Sequence, residues 1–333
     1  MTTVPFVHLH VHSDYSAMRG VSSLEELCVT TRRQGLRTMA VTDTNGLYGA
    51  VRFLEQAKQE GIRPILGAEL TTIDHRALLL VKTPDGYANL CRLLSERHCE
   101  PSFTLIEAVA RYRGGLIVAT DDAVALTSWA TDDRQDLYVE LTPGPAMHAT
   151  LQLSRRLGLP PVATNRVYFA RADDFSTHRL LRAIALNTTL SRLPEEACCS
   201  PRRWLISPAR MAAELPHVPE ALENSVRIAQ ACHSDWRFHD TIFPAFRRFS
   251  DDEAFGALKE KTYRGAQERY GTLTPIIRTR IEDELAIIRA KCFASYFLVV
   301  EEIVRQAPRT CASGSVAASI VSYCLKITHV DPI

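Results

Sequence analysis

The chain has 333 residues, 46% of them apolar, with 39 basic against 38 acidic side chains. That length and composition suit one large domain with a smaller piece beside it, or two domains. A net charge of +1 excludes a global basic field for nucleic acid, so any such contact is local.

Phe6–His12 reads as a strand, with histidines at 8, 10 and 12 between Val7, Leu9 and Val11. Strand side chains alternate faces, so the three histidines are expected on one face and the apolar residues on the other. Neutral imidazole is a common metal ligand, and three alternating histidines point to a metal site rather than to packing. Ser23 opens a helical pattern with Glu26 three residues on. Thr38–Asp43 is a strand, Gly46–Gln59 a helix, Pro64–Leu70 and Ala77–Lys82 strands, and Tyr87–Arg97 a helix. Gly115–Thr120 and Leu137–Leu141 are strands. A helix at Ala149–Leu157 and a strand at Pro161–Thr164 follow.

Such strand–helix repetition predicts a parallel sheet or a barrel. Polar residues gather at the strand ends: His12, Asp43, Glu69, Asp121, Asp122 and Asn165. That is the end at which barrels build active sites. Residues 171–240 read as helical with proline breaks, and Trp236–Phe246 as an irregular aromatic connector. From Ser250, a plausible N-cap, the pattern is helical near 252–270, 274–291 and 296–305. The boundary falls near 245, giving segments 1–245 and 246–333. Nine cysteines without a C-x-x-C pair, Cys198 and Cys199 being adjacent, suggest reduced thiols. No charged leader with an apolar run opens the sequence, and no stretch reaches the apolar length of a bilayer span. A cytoplasmic protein is expected.

Three blocks join the histidine strand: Val41-Thr-Asp-Thr-Asn-Gly-Leu-Tyr-Gly-Ala50, Pro64-Ile-Leu-Gly-Ala-Glu69 and Val162-Ala-Thr-Asn-Arg-Val-Tyr168. In this order they resemble the PHP (polymerase and histidinol phosphatase) domain of the C-family DNA polymerase III alpha subunit. Tyr296-Phe-Leu-Val-Val300 and Gly314–Pro332 resemble the opening of that polymerase's palm, in the flavour of its error-prone branch. The resemblance implies an α/β fold: a distorted seven-unit β/α barrel, then a smaller helical segment. It also implies a cluster of divalent metals that cleaves phosphoesters through metal-bound hydroxide.

By position, His10 and His12 match the family's H-x-H pair, Glu69 its bridging carboxylate, and His75 the histidine ahead of the next strand. His8 is an extra that the family often carries. Other ligand positions are replaced. Arg19 stands for an aspartate, Thr44 for the histidine of T-D-H, Asp122 for a cysteine or histidine, and Arg166 and Tyr168 for the D-x-H pair. Arginine cannot ligate a metal and repels one. The expected site is therefore a remnant holding at most one divalent ion, zinc, manganese or magnesium. Arg19 or Arg166 is expected to pair with Glu69, Asp43 or Asp122 in place of the missing cations. Gly314 and Ser315 retain part of the family's phosphate-binding nest, whose arginine is absent. The family's catalytic aspartates follow this segment, so no DNA synthesis is expected of the chain alone.

Three functions are compatible with these residues. One is the PHP module of a C-family polymerase in replication or translesion synthesis, partnered by the rest of the polymerase or by other replication and repair proteins, and reaching DNA only through them. The others are a phosphoesterase with an altered site (a 3′–5′ exonuclease or a phosphatase) and a non-catalytic scaffold. Arg19, Thr44, Arg166 and Tyr168 argue against the phosphoesterase, and the palm-like tail favours the polymerase module.

Overall fold

The computed structural model of the chain describes residues 5–236, 238, 245–307, 310 and 312–333, and the connector read at Trp236–Phe246 lies largely outside them. The chain divides into two compact units, Met1–Arg237 and Phe238–Ile333.

Among the described residues six strands order the first unit: β1 (Thr38–Val41), β2 (Arg63–Thr71), β3 (Arg76–Val81), β4 (Leu116–Thr120), β5 (Leu137–Leu141) and β6 (Pro161–Ala163). They neighbour one another in chain order. Strand β3 runs antiparallel to both β2 and β4, and the remaining pairs are parallel. The all-parallel reading therefore fails at β3. The four residues between β2 and β3 are too few for a parallel crossover, which takes a dozen or more. The N-terminal segment closes the ring. It bonds to β1 through Ala40 N to His8 O (2.9 Å) and Thr42 N to Val11 O (2.8 Å). On its other side His12 N bonds to Val167 O (2.8 Å) and Val167 N to His10 O (2.9 Å). Seven strand positions thus complete a distorted barrel.

The closing segment corrects the simple alternation. Against β1, two residues from Ala40 to Thr42 face three from His8 to Val11. One residue is extra, which is a β-bulge, and a one-residue slip moves side chains to the other face. Val7 and Leu9 accordingly pack inside the barrel with Ala40, Ile65, Leu78, Leu80, Ile117, Ala119 and Val162. Val11 instead joins the outer layer with Met39, Val41, Leu66 and Val118 beneath the helices. His8 stands apart from the other two histidines. Its ring meets Phe6 edge-on at 4.7 Å, and its Nε2 lies 2.9 Å from Ile206 O.

The helix Pro219–Ala231 closes one end of the barrel. Ile228, Ala229 and Cys232 enter the inner core, and Ser225 Oγ accepts from Val7 N at 3.0 Å. Arg63 donates to Ala229 O and Cys232 O, and Asn224 donates to Pro161 O at 2.8 Å. The polar strand ends face the opposite mouth. Two helices of this unit, Leu105–Tyr112 and Ala123–Asp132, were not expected from the sequence. The first helix expected after β1 begins at Ala50, with Gly49 at its N-cap, four residues later than the pattern predicts.

The second unit is helical: Asp251–Tyr270, Pro275–Ala290, Ala294–Gln306 and Ile320–Cys324. Ser250 and Glu253 form a capping box at its entry. Gly265 lets the first helix meet the last, since a Cβ there would lie 2.0 Å from the Cys324 carbonyl oxygen. Gly265→Ala is expected to destabilise this unit by about 1–3 kcal/mol through overpacking. Urea unfolding followed in the second unit checks it; an unchanged midpoint would show that the helices part without cost. Among the described residues no helix is long and apolar enough to cross a membrane, and the cysteines described are free thiols.

Candidate metal centre

The bulge aims His10 and His12 into the barrel mouth, where β2 delivers Glu69. Strand β2 places Ile65, Gly67 and Glu69 on its inner face and Leu66, Ala68 and Leu70 on its outer one. His10 Nε2 lies 3.6 Å from Glu69 Oε1, and His12 Nε2 lies 3.7 Å from Glu69 Oε2. All three side chains are buried, and their ligand atoms lie within 4.8 Å of one another.

The partners of the histidines set their tautomers. His10 Nδ1 contacts Glu140 Oε1 at 2.6 Å, so it carries the proton and Nε2 is left as a lone pair. His12 Nδ1 lies 3.1 Å from Ser16 Oγ, whose own proton goes to Asp43 Oδ1 at 2.6 Å. His12 therefore donates from Nδ1, and its Nε2 is a lone pair too. Both Nε2 atoms are buried and have no hydrogen-bond partner among the described residues. Two lone pairs facing a carboxylate repel it unless a cation lies between them. Two imidazole nitrogens and a carboxylate, each imidazole fixed from behind by a second hydrogen bond, fit one divalent ion. A proton is the competitor. Burial pushes the His10 pKa down, but Glu140 and Glu69 outweigh it and hold it above the usual value. Burial dominates at His12 and lowers its pKa to about 3. At Glu69 burial acts upward, yet the contacts with His10, His12 and Arg166 keep the carboxyl below its usual range.

A permanent cation occupies the next layer. Arg166 has a positive φ of 44° and folds back over the mouth. Its Nε donates to Glu140 Oε2 at 2.9 Å, and its Nη2 lies 2.8 Å from Glu140 Oε2 and 2.7 Å from Asp121 Oδ2. Glu140 also accepts from Thr164 Oγ1 at 2.6 Å. Asp121 is held from outside by Arg76, whose Nη2 reaches both its oxygens at 2.7 and 2.6 Å. Burial favours the neutral carboxyl at Glu140, but Arg166 and His10 override it and hold the pKa well below the usual range.

The other expected residues have distinct neighbours. Thr44 Oγ1 donates to Glu69 Oε2 at 3.3 Å. The Tyr168 ring stacks on His12 at 4.2 Å and 14°. His75 does not join the triad; its Nδ1 contacts Asp122 Oδ2 at 2.7 Å, and Asp122 caps the helix Ala123–Asp132 through Val124 N and Ala125 N. A cavity at the mouth is nevertheless lined by Glu69, His75 and Asp122 together. Asp43 is bound by Ser13 N, Ser13 Oγ and Ser16 Oγ at 2.6–2.8 Å. Asn165 donates to Arg202 O and Trp204 O and does not reach the triad. Arg19 lines the mouth with its side chain half-buried. The expected arginine pairing therefore occurs at Arg166, but with Glu140 and Asp121 instead of Glu69, Asp43 or Asp122. Glu140 was missed. Its signal was a lone acid in the apolar strand Leu137-Tyr-Val-Glu-Leu141, on the inner face two residues after Tyr138. In the second unit, Gly314 and Ser315 are exposed in the turn Gly314–Ala318, and the helix start beyond it is taken by Glu284, which accepts from Ile320 N and Val321 N at 3.2 Å.

A distorted β/α barrel with an H-x-H pair and a carboxylate at its mouth defines a PHP-type fold. Residues 8–139 match the PHP domain family, and residues 256–333 match the bacterial DNA polymerase III alpha NTPase domain family. The chain is 34% identical, over 98% of its length and 35% of the relative's, to an error-prone DNA polymerase of Symbiobacterium thermophilum. It is 29% identical over its whole length to DNA polymerase III subunit alpha of Treponema pallidum, covering 33% of that protein. A two-domain protein of Bacteroides vulgatus containing a predicted PHP-like metal-dependent phosphoesterase matches 49% of this chain and 52% of its own, with TM-score 0.39 and 13% identity. The chain thus carries a PHP domain followed by a segment matching the DNA polymerase III alpha domain, and its relatives over nearly its whole length are DNA polymerase III alpha and error-prone DNA polymerases. It spans about a third of the length of the curated relatives it matches.

Proposed function

We propose that this chain is the PHP module of a C-family, error-prone-type DNA polymerase acting in replication or translesion synthesis in the cytoplasm. In this reading it scaffolds the remainder of the polymerase, which carries nucleotidyl transfer and contacts DNA. Its metal site is reduced to one divalent ion on His10, His12 and Glu69, and phosphoester cleavage is lost. The observation that carries the reading is the ion pairing of Arg166 with Glu140 and Asp121 beside the triad. A fixed guanidinium stands where the family places metal ligands, so the carboxylates that would gather further cations are already neutralised. The domain proposal follows: a PHP segment to about 245 and a palm-like segment beyond it.

When bound, a divalent ion supplies Lewis acidity and an activated water. The protein's own part is to orient the ligands: Glu140 fixes His10, Ser16 fixes His12, and Tyr168 covers the His12 ring. Elemental analysis after loading with zinc or manganese and gel filtration is expected to find no more than one ion per chain. Glu69→Gln is expected to weaken that binding by at least about 10–100-fold. Two or more tightly held ions per chain would refute the reduced site and favour the alternative, a metal-dependent phosphoesterase, whose supporting observation is the unpartnered pair of Nε2 atoms.

A further inference from the structure

A second cavity of about 360 Å³ opens beside the mouth, lined by Arg19, Arg76, Arg166, Arg182 and Arg203. The five come from separate segments. Arg19 follows the histidine segment, Arg76 begins β3, and Arg166 follows β6. Arg182 lies on the helix Phe175–Ala185, and Arg203 on the loop before Trp204. Two of them are balanced from behind, Arg166 by Glu140 and Asp121, and Arg76 by Asp121. The other three have no carboxylate at ion-pairing distance among the described residues. Arg182 donates to Ala197 O (2.8 Å) and Met18 O (3.3 Å), and Arg203 to Asn165 O (3.4 Å). Glu196, on the exposed rim, is the one acidic side chain lining the cavity among the described residues.

Burial, and then the charge of Arg19, lower the Arg182 pKa; burial, and then Arg166, lower that of Arg203. Arg182 beside Arg19 and Arg203 beside Arg166 are thus partly desolvated like charges, a cost that a bound anion reduces. The backbone carbonyls that hold Arg182 and Arg203 also fix them in advance, which reduces the ordering cost of binding.

We infer that this cavity, which adjoins the mouth of the His10, His12 and Glu69 centre and shares Arg19, Arg76 and Tyr168 with it, is a binding site for a phosphate monoester group. Several converging guanidinium forks exceed what the two oxygens of one carboxylate can satisfy, and they match the oxygens of a dianionic phosphate. The cavity volume leaves room for the ester substituent beyond the phosphate. The phosphate of a nucleic-acid end and free inorganic phosphate present this same chemistry.

The test is calorimetric titration of the 333-residue chain, with chelator present so that the metal centre does not contribute. The ligands are inorganic phosphate, a short 5′-phosphorylated oligonucleotide and the same oligonucleotide without the phosphate. Saturable binding of inorganic phosphate is expected, weakened roughly tenfold to a hundredfold by Arg19→Gln/Arg182→Gln. Arg19→Lys, which keeps the charge and loses the fork and touches no backbone partner, is expected to weaken it less. Arg227→Gln, an exposed arginine elsewhere, is expected to leave it unchanged. Tighter binding of the phosphorylated oligonucleotide than of its counterpart assigns the site to nucleic-acid ends, and exclusion of both oligonucleotides assigns it to free phosphate. Absence of phosphate binding, equal binding of the two oligonucleotides alone, or phosphate binding untouched in the double variant overturns the inference. None of these outcomes depends on the metal count, so the proposed polymerase role is judged separately.

Discussion

Arg166→Ala is expected to destabilise the barrel unit by about 3–5 kcal/mol, measured by denaturant unfolding at neutral pH with chelator present. The pair it breaks is buried: the Arg166 side chain is 10% exposed and that of Glu140 2%. Removing the guanidinium leaves Glu140 ionised with only the Thr164 hydroxyl and the His10 Nδ1 proton on it, beside Asp121, which keeps Arg76 alone. Arg19→Ala is the matched control. Arg19 stands at an equally altered family position but has no ion pair among the described residues, so its loss is expected to cost under about 1 kcal/mol. The comparison also separates two ways of organising the mouth. If both variants match the wild type, and chelator lowers the stability of all three, a metal ion and not the arginine holds the site together. Adding zinc is expected to recover part of the loss in Arg166→Ala, because a cation on the triad partly screens the exposed carboxylates.

The barrel was legible because its strands are apolar runs of ordinary length separated by capped helices, and β5 was read to the residue. Thr38–Val41 and Pro161–Ala163 were recoverable for the same reason. Two things were not. The antiparallel β3 has no mark in its own composition, since strand direction is decided by the short connection before it. The bulge between His8 and Val11 is likewise invisible, because it arises from pairing with β1 and Val167 and not from the segment itself. Strict alternation therefore grouped His8 with His10 and His12, although it serves the packing around Ile206.

At the site, a pairing partner for Arg166 was expected from charge balance alone. Its identity does not follow from the sequence, because Asp43 and Glu69 lie within family-like blocks and Glu140 lies outside them. Asp43 is satisfied by three donors from Ser13 and Ser16, a turn that forms as Ser16 N bonds back to Ser13 O at 2.9 Å. An acid that looks like a ligand by position is thus spent on holding the loop that carries Arg19. The arginine cluster was hidden in a different way. Its members are spread from residue 19 to residue 203, and only the closed ring brings them together.

His178→Ala is expected to cost roughly 2–4 kcal/mol, from the ring volume and from a backbone donor left unmet. The imidazole is buried, with 2% of the residue exposed, among Tyr168, Phe169 and Phe175. Its two nitrogens join two loops that wall the arginine cavity. Nδ1 lies 2.7 Å from Arg19 O, and Nε2 accepts from Cys199 N at 3.1 Å. Only the neutral Nδ1–H tautomer satisfies both, since a carbonyl needs a donor and an amide needs an acceptor. Burial, and then the charges of Arg182 and Arg19, push the His178 pKa below its ordinary 6.5. In the unfolded chain the histidine takes up a proton near pH 6.5, while the native state refuses it until lower pH. Between those two values the unfolded state binds more protons, so stability rises with pH. The contribution of His178 is fully present above the unfolded pKa and is lost as pH falls through the window below it. Unfolding free energies of wild type and His178→Phe, which keeps a ring and drops both bonds, are therefore expected to converge as pH is lowered from 7.5 to about 5. Parallel curves for the two proteins would show that the native imidazole takes up its proton at the same pH as the unfolded one, so that the link between Arg19 and Cys199 does not depend on its neutral form.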